Sequence, residues 1–227
     1  MRHRLGLLLS VDALLLDVHD ARAQAWVEAL AERGVRVRFP EVRQSVTLAP
    51  HELLNLTLGA GLDTPLGNET CERARTIFGM RYLSRIPPRY RARELLQAAI
   101  RSGMRVIVVS ADSAETLLPI LKKLEAESLI HRAIYPSKND RVGSRRDLLR
   151  VALERAALTN KAAIQLTDSP DDVDGAAKLG VQSVALLSGG WTRNQLRGAT
   201  IYDSPKALLE SFETSPFASD PDDTAAA

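Results

Sequence analysis

Short apolar runs without polar alternation, at 5–11, 105–109, 162–166 and 182–187, are separated along the chain by amphipathic helical segments. Strands that are apolar on both faces belong to parallel sheets covered by helices on both sides, so this rhythm limits the fold more than any single motif does. A shorter run at 131–135 reads as a further strand. The intervening helices carry their own boundary signals. The segment 91–101 is closed by Gly103, Ser113 and Ser144 stand as caps before 114–126 and 145–157, and 170–179 stops at Gly180. Ser204-Pro205 opens a last helix, with a capping hydroxyl followed by proline in the first turn. The expected architecture is α/β, a Rossmann-like core with a parallel sheet, and such sheets bind ligands beyond the carboxyl ends of their strands.

One stretch breaks the rhythm. After the first strand, Ala23, Trp26, Val27, Leu30 and Ala31 recur at helical spacing, and from about 39 to 88 the chain reads as helix only, near 41–47, 50–58 and 69–84. The expected division is therefore a core of 1–18 and 92–213, an inserted α-helical domain of 19–91, and a disordered tail of 214–227 composed of Ser, Pro, Asp and Ala with little to bury.

Composition excludes several classes. With 45% hydrophobic and 26% charged residues the chain can build a core, and a net charge of +2 gives no field that would draw it to nucleic acid or to an anionic membrane. Cys71 is the only cysteine, which precludes a disulfide framework within one chain. The N-terminal stretch MRHRLGLLLSVDALLLD has a basic and an apolar region, but Asp12 interrupts it and no small-residue cleavage site follows, so it reads as a buried strand and not as a leader. No apolar run reaches the roughly 18–20 residues that span a bilayer. A cytoplasmic protein is expected.

The residues immediately after the strands are Ser10 and Asp12, Ser110, the loop 136–144, and Asp168 with Asp172. Carboxylates and hydroxyls meeting at one sheet edge suit a hard divalent cation and a phosphate; the same residue types also serve as ordinary caps. Elsewhere, HELLN at 51–55 has Asn55 where a zinc protease would carry its second histidine. His19, Arg43, His51 and Arg81 read as solvated helix positions, as do Arg145 and Arg146 at a helix start, and Trp26 and Trp191 as packing residues.

The stretch SVDALLLDVHDARAQAWVEAL resembles the first motif, DxDGTLxDS, of the haloacid dehalogenase-like hydrolases, in their phosphoglycolate phosphatase-like branch. In order behind it, VIVVSADSAETLLPIL resembles the second motif and LTDSPDDVDGAAKLGVQSVALLSGGWT the fourth, GDxxxD, so that the resemblance spans roughly residues 1–212. It implies a helical cap at 19–91 that closes on small phosphorylated metabolites. It also implies that Ser110 binds phosphate, that Asp12 is the general acid/base, and that Asp168 and Asp172 are Mg²⁺ ligands.

The departures from the family pattern fall on the reacting groups. Ser10 stands where the resemblance places the attacking carboxylate, Ala13-Leu14 replaces Gly-Thr, and Gly143 falls at the motif-three lysine, with Lys138 in the same loop as a substitute. A hydroxyl is a poor nucleophile without an activating base or metal. The expectation is a protein degenerate for phosphoryl transfer, with Mg²⁺ bound weakly or not at all, that binds a small phosphorylated metabolite or a protein partner. Two alternatives stay open: an active Mg²⁺-dependent phosphatase or hydrolase of altered mechanism, and a structural interaction module.

Overall fold

Strand β1, Gly6–Leu9, is buried along its whole length and lies at the centre of the sheet. In the computed structural model, which describes residues 6–15, 17–59, 61, 64–112, 114–135 and 144–218, the remaining strands are β2 (Arg105–Val109), β3 (Arg132–Ile134), β4 (Ala163–Thr167), β5 (Gln182–Leu186) and β6 (Thr200–Tyr202). Their order is β3-β2-β1-β4-β5-β6 and every pairing is parallel. Strand order reverses beside β1, which is where doubly wound sheets open a crevice for ligands. The chain divides into two compact units, Leu16–Pro87 and the remainder.

In the sheet-bearing unit, helices α5 (Ala92–Arg101), α6 (Ala114–Lys123), α7 (Arg145–Ala156), α8 (Pro170–Lys178) and α9 (Pro205–Glu210) alternate with the strands. Helix α7 buries Leu148, Leu149 and Ala152 in a cluster with Leu8, Ile107, Ile134 and Ala176. Ser144 caps α7 by accepting the Asp147 N–H at 3.2 Å, and Ser204 caps α9 through Ala207. Ser113 lies outside the described residues. Residues 214–218, expected to be disordered, are folded: Ser215 and Phe217 are buried, and Phe217 stands edge-on to Phe212 with ring centroids 5.7 Å apart. Two aromatic rings offset the poor composition around them.

The other unit is helical throughout its described residues, with α1 (Val18–Glu32), α2 (Phe39–Ser45), α3 (Pro50–Leu58) and α4 (Pro65–Ile77), the last running into a π-helical turn at Phe78–Tyr82. Its core joins Ala23, Val42, Val46 and Leu53, with Trp26 and Val27 packed alongside. The Arg22 guanidinium lies 4.5 Å from the centroid of the Phe78 ring. Arg43, read as solvated, is instead largely buried and ion-paired to Asp20, whereas Arg81 is exposed as expected and pairs with Glu28.

Glu28 also accepts the Tyr82 hydroxyl, which ties α1 to the π-turn. Partial burial opposes its charge, but hydrogen bonds from Tyr82, Arg81 and Gln24 outweigh that and hold the carboxyl below the usual range. A lowered folded-state pKa stabilises the fold above the ordinary carboxylate range and ceases to do so as the pH falls through the folded value. Glu28→Gln is therefore expected to cost about 1 kcal/mol at neutral pH, with the gap to wild type closing in acid, as followed by urea denaturation across pH.

Among the described residues no helix is long and apolar enough to cross a membrane.

Candidate functional site

The chain leaves β1 at Ser10, whose N–H donates to the Leu166 carbonyl of β4 at 2.9 Å. It then winds into a 3₁₀ turn, Val11–Leu14, because the Ser10 and Asp12 carbonyls accept the N–H groups of Ala13 and Leu15 at 3.1 and 3.0 Å. Ala13 and Leu14 are fully buried in this turn, whereas Ser10 and Asp12 are half-buried. The register pairs Leu9 with Val108 on one side and Leu166 on the other. Ser10, Ser110 and Asp168 thus follow the ends of three neighbouring strands. The two positions where a loop lysine was sought, Gly143 and Lys138, lie outside the described residues.

Ser110 is buried; its N–H donates to Ile134 and its hydroxyl accepts the Asp112 N–H at 3.1 Å. On the other side of β1 a denser polar network forms. The Thr167 hydroxyl donates to Asp172 Oδ2 at 2.9 Å and accepts the Ser169 N–H at 3.1 Å, while Ser169 caps α8 through the Asp172 N–H. Asp168 is fully buried and Asp172 nearly so. Gly189 sits against Asp168 so closely that a Cβ there would lie 2.5 Å from its carbonyl oxygen and 2.8 Å from Oδ2.

Arg145, the first residue of α7, brings its Nε to 3.7 Å from Asp172 Oδ1. Its side chain is 18% exposed, so the reading of a solvated arginine at this position is corrected. The responsible contact is tertiary. Gly175 of α8 lets the start of α7 come so near that a Cβ would stand 3.0 Å from the Arg146 nitrogen. The glycine in DDVDG is the sequence signal for that approach, and the capping Ser144 fixes where α7 begins. Burial pushes the Asp172 carboxyl above its ordinary range, as do the neighbouring Asp168 and Asp171 charges, while Arg145 and the Thr167 hydroxyl act in the opposite sense.

A hard divalent cation needs several oxygen ligands, of which carboxylates supply the charge. Here both Asp172 oxygens are engaged, one by a hydroxyl and one by a guanidinium. Among the described residues no three acidic, histidine or cysteine side chains are placed to hold a metal. At Asp172 this arrangement does not suit a resident Mg²⁺.

The sequence profile of the haloacid dehalogenase-like hydrolases matches residues 8–186. The chain belongs to this family. Solved structures of haloacid dehalogenase-like and related proteins share its fold. A hydrolase from Pseudomonas syringae superposes with a TM-score of 0.80 at 20% identity, covering 92% of this chain and 98% of its own. A predicted phosphatase from Clostridium acetobutylicum gives 0.80 at 17%, covering 94% and 100%. A putative beta-phosphoglucomutase from Bacteroides vulgatus gives 0.80 at 15%, covering 94% and 89%. No protein of curated function matches the chain.

Proposed function

We propose that this haloacid dehalogenase-like protein binds a small phosphorylated metabolite at the ends of β1 and β2 without turning it over through an aspartyl-phosphate. The observation that carries the reading is Ser10, a hydroxyl at the end of the central strand where the family pattern places the attacking carboxylate. No acidic residue lies between Met1 and Asp12 to take its place. Ser110 and the turn that follows it are the phosphate-binding elements, Asp12 is a vestigial acid/base group, and Asp168 and Asp172 are vestigial metal ligands.

The test is phosphate release from p-nitrophenyl phosphate, phosphoglycolate and a panel of sugar phosphates with Mg²⁺, alongside calorimetric binding of the same compounds. Expected are no turnover above an Asp12→Ala control and binding that weakens roughly tenfold or more in Ser110→Ala, where a hydrogen bond to a charged oxygen is lost. Turnover that disappears in Asp12→Ala overturns the reading and establishes instead a hydrolase in which Asp12 activates water. Absence of both turnover and binding also overturns it, in favour of a module for protein interaction.

A further inference from the structure

Asp168 and Asp172 are two buried carboxylates four residues apart, one closing β4 and the other in the first turn of α8. Removing such a pair from water is costly unless a positive charge or hydrogen bonds balance it. In a metal-dependent site an exchangeable cation supplies that charge. Here a positive charge is built into the polypeptide: Arg145 faces Asp172 Oδ1, and Thr167 holds Oδ2. Its position is set by rigid elements. Ser144 caps α7, the α7 start rests on α8 at Gly175, and Arg145 therefore reaches Asp172 from the backbone of one helix to that of the next.

We propose that Arg145 is the resident counter-cation of Asp172, so that the charge balance of this carboxylate does not depend on a divalent metal. A bound guanidinium differs from a metal in three respects. It cannot be chelated, it offers planar N–H donors in place of an octahedral shell, and it keeps the strand ends in one arrangement whether or not a ligand is present. The inference is separate from the binding reading above, since it concerns the neutralisation of Asp172 and not the fate of a phosphoester.

The test uses the full-length chain and reads thermal unfolding in EDTA and across millimolar MgCl₂ or MnCl₂. Wild type is expected to show no saturable metal-dependent rise in Tm, whereas an occupied metal site would raise it by several degrees. Arg145→Met is expected to lower Tm by roughly 5–10 °C, because it leaves a buried carboxylate without its partner. Arg145→Lys should recover part of the loss. If Arg145→Met does not fold, the Arg145→Met/Asp172→Leu double variant serves, and it is expected to unfold within a few degrees of wild type because neither charge remains.

A saturable Mg²⁺ or Mn²⁺ stabilisation of wild type that vanishes in Asp172→Asn overturns the inference. So does an Arg145→Met loss as large in the Asp172→Leu background as in wild type, since the two residues would then be uncoupled. Metal stabilisation without phosphate release would overturn this inference alone and leave the functional reading standing.

Discussion

A single methyl group added at position 189 is expected to destabilise the protein by about 3 kcal/mol, a drop in Tm on the order of 6–12 °C. Gly189 has no left-handed backbone to explain it; what requires glycine is contact. The Cβ of an alanine would fall 2.5 Å from the Asp168 carbonyl and 2.8 Å from its carboxylate, both far inside van der Waals contact. Neither atom can yield easily. Asp168 follows directly on Thr167, which is paired with Ala185 of β5, so a shift large enough to admit the methyl would disturb the sheet. The neighbouring Gly190 is the control. Its φ of +79° makes Gly190→Ala cost only about 1 kcal/mol, the ordinary penalty for a left-handed alanine. Denaturation by urea, with the m-value unchanged, separates the two effects. Equal losses at 189 and 190 would mean that the turn tolerates the methyl by moving away from Asp168.

Thr167→Val is the second substitution with a large expected effect, again about 3 kcal/mol. Valine matches threonine in shape and removes only the hydroxyl, yet that hydroxyl makes two hydrogen bonds: it donates to Asp172 and accepts from Ser169. Both partners are buried, so each is left without the bond and without water. Thr167→Ser, which keeps the hydroxyl and loses a methyl, should cost about 1 kcal/mol. A valine variant as stable as the serine variant would show that the network has relaxed onto other partners.

Much of this fold is legible in the sequence, and the limits of legibility have physical causes. The β-branched run at 105–109 coincides with β2, since the half-buried Arg105 is followed by four consecutive buried apolar residues. The run at 5–11 is longer than β1 because Val11, although buried, lies in the 3₁₀ turn; apolar character reports burial and not strand geometry. Strand β6 escapes notice: three residues at a sheet edge, none of them buried, carry no periodic signal. The candidate site divides in the same way. Ser10, Ser110, Asp168 and Asp172 are found by counting from strand ends, because topology puts such residues at one edge. Arg145 is not found in this way, for its place depends on how closely two helices approach at Gly175, and that is a property of packing.

The sheet order also has a consequence for synthesis. Among the described strands the central one comes first in the chain, and its partners at Arg105 and Ala163 come much later. At about 5–20 residues per second, β1 waits roughly 5–20 s on the ribosome before β2 emerges, and longer for β4. The segment Leu16–Pro87, which has its own apolar core, is translated in the interval. The nascent chain therefore passes through a stage in which the whole helical segment has been made while the apolar strand before it has no ladder to join. The two ladders that flank β1 cannot both form before β4 has been made, so Gly6–Leu9 lacks its second partner until then.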